Sequence, residues 1–442
     1  MERVSRSQQE RLLQFLTGFV IILLAIWSLI SLVRVFSNTA NPEYGGTDFY
    51  TYWYHGQYIR QGDDPYAAVF DGESLHFPLG HIDGHQTTAQ EVDTQLEHLY
   101  SLPAYTPLLL LFFGLFSFFS WPVAKFIWLA CNLAMIGLTP WLVCRFYKPA
   151  RVTVKTITWV ILALVFYGLL PTRLALGLGQ PTIFVLFTLL MALLLVDSQR
   201  DVAGGIALGV ALSKYTVALP VVLYLLYRKK YKAVVVSALV QALGIGLLAV
   251  LTGTSPLTII ESNLRLVSLF SEVSAFWTIN ISTLFPNGGW LPLLVVTLIT
   301  LVTATSLFLL VRSPRRDSPE YIRLIDIHIL SVLNMWGLLS VFHGHADAIL
   351  TVFPLGLLLL VVYNRELWLS KDSQAIVLLV ALVGIVGLLS MPGLAVSRFL
   401  PPGLAIAWGD VTRRLATVAI ALLLALSIFL LFRLQNLNLH RS

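Results

Sequence analysis

Long apolar blocks separated by short polar stretches dominate the chain. Blocks long enough for a membrane-spanning helix, which needs roughly 20 apolar residues, cover 15–36, 123–144, 156–172, 180–196, 233–252, 290–311, 325–342, 347–363, 375–391 and 412–432. Two further blocks are ambiguous. Residues 107–120 are apolar but short, fenced by Pro103, Pro107 and Pro122. Residues 203–227 are long enough for one helix, yet Lys214 sits in the middle and Pro220 follows. Between the blocks lie two larger polar segments, 37–106 and about 253–289.

The ambiguity is settled by charge. Cytoplasmic loops of membrane proteins carry an excess of Lys and Arg. With 107–120 lying on the outer surface and 203–213 and 215–227 forming two short helices that meet near Lys214, 20 of the 29 basic residues fall inside. The alternative, with both blocks spanning, puts three fewer inside and strands Lys214 at mid-membrane, where a charge costs several kcal/mol. The first arrangement leaves Arg413 and Arg414 outside, against the trend. The expected fold is therefore an all-α polytopic membrane protein, one transmembrane domain of about 12 helices with both termini cytoplasmic. Its parts are a first span (15–36), a large extracytoplasmic first loop with interfacial helices (37–122), core helices (123–252), a second outer loop (253–289) and C-terminal helices (290–432).

Composition agrees: 57% of residues are hydrophobic and 12% charged, with a mean hydropathy of +0.80, more apolar surface than a soluble fold can bury. The net charge of +6 then reports anchoring at the cytoplasmic face and not a nucleic-acid partner. The first block is too long for a signal-peptide core and lacks a small-residue cleavage site, so it is expected to stay as an anchor. Cys131 and Cys144 lack zinc or redox spacing and are expected to pack structurally. The chain carries no Gly-rich phosphate loop, which argues against ATP-driven transport, and no evident repeat of the kind many secondary transporters show. Chemistry is thus expected on the outer face, on a substrate that arrives already activated.

Several residues suit such chemistry. In Gly45-Gly-Thr-Asp48-Phe-Tyr-Thr-Tyr52-Trp-Tyr-His55, a helix would put Asp48, Tyr52 and His55 on one face. A carboxylate there can accept a proton from a sugar hydroxyl beside aromatics that stack on sugar rings; equally, Asp48 can cap an interfacial helix within an ordinary aromatic belt. The polar stretch 67–99, with His76, His81, His85 and His98, matches no zinc spacing. Gln180 follows Gly177-Leu-Gly179 at an outer helix end, as a turn or a cavity contact. Lys214 is a functional candidate because a lysine in an apolar run is costly; its ammonium can neutralise a lipid-linked phosphate or snorkel to the interface. Arg265 can pair with a phosphate or a surface carboxylate. His343, His345 and Asp347 in Phe342-His-Gly-His-Ala-Asp347 can hold a metal, shape an acceptor site, or cap a helix.

These stretches resemble the GT-C glycosyltransferases, specifically glycosyltransferase family 87, which includes polyprenol-phosphate-mannose-dependent mannosyltransferases. The resemblance rests on an ordered series over about 15–360: TDFYTYWYHGQYIRQGDDPY (47–66), LPAYTPLLLLFFGLFS (102–117), LGLGQPTIFVLFTLLMALLL (176–195), the segment 203–233 around Lys214, and FHGHADAILTVFPLGLLL (342–359). It implies an inverting transferase with an extracytoplasmic active site, Asp48 as general base and a polyprenyl-phosphate-linked sugar, mannose by family habit, as donor. Lys214, Arg173 and Arg265 would stabilise the donor phosphate, and Tyr52, His55, Tyr105, Gln180, His343, His345 and Asp347 would contact substrate. A gap of about 10–15 Å between Asp48 and Lys214 would hold the sugar phosphate. No cofactor or resident metal is expected; the partners are a lipid or glycan acceptor and membrane lipids, in a monomer. The chain departs from the family's Tyr-Pro-Pro step at Tyr105-Thr106-Pro107, from its Lys-Pro at Lys214-Tyr215, and in the length of 67–99. A transporter or flippase for a lipid-linked or small polar solute is the competing expectation, with a non-catalytic envelope-assembly protein behind it.

Overall fold

A computed structural model of the chain describes residues 2–40, 45–70, 105–147, 156–273, 279–285, 289–311, 319–341, 343–363, 381, 384–389 and 401–439. Of the described residues 89% are helical, with no strand among them. Beyond Phe70, the polar insertion 67–99 lies outside the described residues, as does most of 375–391.

Among the described residues, five helical stretches are long and apolar enough to cross a membrane by length and composition, Asp201–Tyr227 among them, or six if one bent pair counts as a span. Outward rows of large apolar side chains, such as Val235, Leu239 and Leu243, stay exposed, as surfaces against lipid do. Helix α1 (Glu2–Ala40) is followed by two short helices, α2 (Thr47–Gln61) and α3 (Pro65–Phe70). The short block 107–120 becomes α4 (Pro107–Gly114), opened by Pro107, and a 3₁₀ turn over Leu115–Phe118. Then come α5 (Trp121–Tyr147) and a pair, α6 (Thr156–Gly168) and α7 (Leu170–Leu178), bent by 61°. The expected block 156–172 breaks there because Pro171 sits in the first turn of α7, where a missing N–H costs nothing. Helix α8 (Thr182–Asp197) follows directly.

Residues Asp201–Tyr227 could form one apolar span by length and composition. Run straight, about 26 residues would separate its ends by roughly 39 Å. Instead Lys230 Nζ lies 3.2 Å from Asp201 Oδ1 and 3.2 Å from Gln199 Oε1. The segment is a hairpin of α9 (Asp201–Ala211) and α10 (Tyr215–Tyr227), joined by a 3₁₀ turn over Leu212–Lys214. Lys214 leaves helical geometry, with φ −120° and ψ 76°, and so sits at the tip. Small residues seat the first arm of the hairpin between its neighbours. A Cβ on Gly204 would lie 2.5 Å from Val196 Cγ2 on α8, and one on Gly205 would lie 2.6 Å from the Ala233 carbonyl on α11 (Tyr231–Thr252). Bare glycines let the backbones close in.

The second outer segment carries α12 (Pro256–Val273), and after it come α13 (Leu291–Val311) and α14 (Pro319–Ser340). Helix α14 runs alongside the hairpin. Its Asp326 accepts a hydrogen bond from Arg228, and its Gly337 packs against Pro220. A 3₁₀ stretch, His345–Thr351, leads into α15 (Val352–Tyr363), and α16 (Pro402–Leu439) packs against α14. Asp197–Arg323, Asp201–Lys230 and Asp326–Arg228 pair at one end of these helices. Both cysteines are free thiols; Cys144 is half-buried, but Cys131 is exposed on α5 instead of packed inside.

Candidate functional site

The other end of the hairpin is polar and buried. Helix α2 begins after Gly45 and Gly46, both at positive φ, and the Gly46 amide donates to the Gly177 carbonyl at 2.7 Å. Gly46 is the capping residue and makes no side-chain cap. Asp48 therefore is not the cap; it lies one residue inside the first turn, where helix N-terminal amides favour negative charge.

Helix α7 closes on Gly179 in the left-handed region, φ +69°, with the Gly179 and Gln180 amides turning back to the Leu176 and Ala175 carbonyls. Trp128 Nε1 donates to the Gly179 carbonyl at 2.8 Å. This turn swings Gln180 toward Asp48, and its amide Nε2 donates to Asp48 Oδ2. A Cβ on Gly179 would lie 2.7 Å from Phe49 Cβ. Gly179→Ala is accordingly expected to destabilise the protein by about 1–2 kcal/mol for the left-handed backbone alone, with the clash in addition. Because the turn aims Gln180, transfer activity should fall by more than folded protein does; thermal unfolding and activity measured together on one preparation test this.

From Gln180 the network continues. Lys214 Nζ donates to Gln180 Oε1 at 3.1 Å, to Thr182 Oγ1 at 2.9 Å and to Asp347 Oδ1 at 2.5 Å. The Thr182 hydroxyl in turn donates a hydrogen bond to Asp347 Oδ1 at 3.0 Å. The second Asp347 oxygen receives His343 Nδ1 at 3.2 Å and the Gly344 amide at 3.3 Å. Asp347 is thus both a helix-start cap and an ion-pair partner. Tyr105 covers the cluster: its ring lies 5.8 Å from Lys214 Nζ and edge-on to Tyr52, which stacks on Phe113. Tyr66 Oη and Asn263 Nδ2 hold the Tyr105 carbonyl at 2.8 and 2.7 Å.

Seven of the eleven residues singled out from sequence therefore meet: Asp48, Tyr52, Tyr105, Gln180, Lys214, His343 and Asp347. The other four make contacts of their own. His55 is buried a turn further along α2, its Nδ1 on the Thr51 carbonyl at 2.7 Å. Arg173 lies over the Trp27 ring and Arg265 over Phe70; Arg265 is two residues from Asn263, which turns it to the other side of α12. His345 is half-buried at the start of the 3₁₀ stretch. The expected open gap is absent, since one amide bridges Asp48 and Lys214. Thr182 and Tyr66 were missed. Thr182 had a signal, a hydroxyl heading an apolar helix immediately after Gln180-Pro181.

Burial pushes the Asp48 carboxyl up to about 6, against the pull of the Gln180 hydrogen bond and the Lys214 charge. Burial also raises the phenols of Tyr52 and Tyr105, keeping both protonated, and lowers His55 to about 4, keeping it neutral. Among the described residues, no three His, Cys, Asp or Glu side chains are grouped to hold a metal ion.

No curated protein and no solved structure matches the chain. The family model of glycosyltransferase family 87 matches residues 104–333, which takes in Tyr105, Gln180, Thr182 and Lys214; His343 and Asp347 lie shortly after its end, and Asp48 lies well before its start. With more than half of its length matched, the chain belongs to glycosyltransferase family 87, a GT-C-type group of membrane transferases.

Proposed function

We propose that the protein moves a sugar, mannose in the first instance, from a polyprenyl-phosphate donor to a lipid or glycan acceptor at the extracytoplasmic face of the cell membrane, with inversion at the anomeric carbon. The acceptor oxygen attacks that carbon, the bond to the phosphate oxygen breaks, and Asp48 takes the acceptor proton. The observation that carries this reading is Asp48 itself. It is half-buried at the head of α2, and its carboxyl is pushed up to about 6, so it is ionised at neutral pH while basic enough to accept a proton.

In this reading the end bearing Arg228, Lys230 and Arg323 faces the cytoplasm and the polar cluster faces outward, with about twelve spans if the hairpin counts as two half-spans. Sugar hydroxyls would meet Tyr52, Tyr105 and His343, with His55 and His345 at the edges. Arg173 and Arg265, each held over an aromatic ring, would receive the leaving phosphate. No metal is required by this chemistry, and a monomer suffices. The test is sugar transfer by membranes supplied with a panel of radiolabelled polyprenyl-phosphate sugars. Incorporation from one lipid-linked sugar, with none from nucleotide sugars, is the expected result; incorporation from a nucleotide sugar alone would refute it.

A further inference from the structure

Lys214 is expected to grip the donor phosphate, but its geometry assigns it elsewhere. An ammonium has three N–H groups. All three are directed at protein acceptors: Gln180 Oε1, Thr182 Oγ1 and Asp347 Oδ1. None remains for a phosphate oxygen. We propose that the Lys214–Asp347 ion pair, acting through the Gln180 amide, is a positioning device that orients Asp48 and sets how tightly it holds a proton. The proposal rests on the reading of Asp48 as the base.

Chemistry fixes the direction of the relay. Lysine only donates, so the Gln180 atom facing it must be the carbonyl oxygen, and the NH₂ group must then face Asp48. A flipped amide would set two donors against each other at Lys214 and two acceptors against each other at Asp48. The amide therefore always offers Asp48 a proton donor, which favours the carboxylate. Two carboxylates share one ammonium unequally. Asp347 takes the direct contact and is further held by His343 Nδ1 and the Gly344 amide. Asp48 meets the same ammonium only at a distance, bridged by one amide, and keeps its affinity for a proton. This is the separation of roles that paired carboxylates need to act differently.

The Thr47 hydroxyl and the amides at the start of its own helix also favour the ionised Asp48, but they are neutral and stay in place in every variant below. Tyr52 on its own helix and Tyr105 before α4 stay neutral. From α5, the Lys125 stem packs on Gly46 while its ammonium lies over the Trp121 ring, and Arg173 on α7 lies over Trp27. The charged groups that reach Asp48 through the network are Lys214 and Asp347, with the His343 imidazole on the far oxygen of Asp347.

The test is the pH profile of kcat/KM for the full-length protein in nanodiscs. The wild type should lose activity as pH falls through about 6, when Asp48 is protonated. Gln180→Met removes the donor, so Asp48 should hold its proton to higher pH, and the acid limb should move up by about one pH unit. At alkaline pH much of the activity should return, with donor KM within about threefold of wild type. The neutral pair Lys214→Met with Asp347→Leu leaves no unpaired charge and should move the limb the same way, so the result does not hang on one variant folding. A limb that stays near 6 in both variants overturns the proposal. So does a donor KM raised tenfold or more by the neutral pair with the limb unmoved, which would make Lys214 a phosphate ligand. A wild-type profile without any acid limb near 6 would instead strike at Asp48 as the base, and so is distinguishable.

Discussion

Asp48→Asn is expected to lower sugar transfer by about 10²–10⁴-fold, the range that general-base catalysis contributes, while the protein remains folded. Asparagine has the same shape, and its amide oxygen can still accept the Gln180 hydrogen bond that now reaches Asp48 Oδ2. What it cannot do is take a proton. The aromatic packing around α2, where Phe49 meets Phe113, Phe116 and Trp128, is untouched. Transfer rate and thermal unfolding of the same purified sample check both halves. Retained transfer would remove Asp48 from the base role, whereas loss of folded protein would show that its charge is structural.

Asp347→Leu should be the most destabilising change at the site, by about 3–5 kcal/mol, because it leaves the Lys214 charge buried without its partner. Lys214 and Asp347 side chains are only 10% and 3% exposed. Neither water nor salt can make up the loss. Adding Lys214→Met to the same chain should restore most of the stability, since a neutral pair of similar volume escapes the desolvation cost. Stability can be followed by the labelling rate of the half-buried thiol of Cys144 during denaturation in detergent. If the single variant unfolds no more readily than wild type, the ion pair is not what secures the hairpin tip.

Much of this was legible in the chain because membranes punish certain patterns. Blocks 123–144, 233–252 and 290–311 appear as helices Trp121–Tyr147, Tyr231–Thr252 and Leu291–Val311, since apolar length alone decides a span. Lys214 betrayed the hairpin, because an ammonium inside an apolar run requires a partner or a way out. What stayed hidden depends on contacts between distant segments. Gln180 and Lys214 are 34 residues apart, and Lys214 and Asp347 are 133 apart; no spacing rule reports that one amide closes the distance between two candidate residues. Asp48 looked like a cap from sequence, but two glycines at positive φ before it start the helix earlier. The bend after Gly168 came from Pro171, whose effect on direction a count of apolar residues does not register.

The hairpin has one more consequence, for parity. Asp201 and Lys230 touch, so the chain leaves this segment on the side from which it entered. A straight rod of the same residues would add one crossing and exchange inside for outside in everything after Tyr227. Asp347 would then stand on the opposite side of the bilayer from Asp48 and Gln180, and the polar cluster could not assemble. A three-residue turn over Leu212–Lys214 thus decides from which end of the helix bundle each later element of the chain sets out.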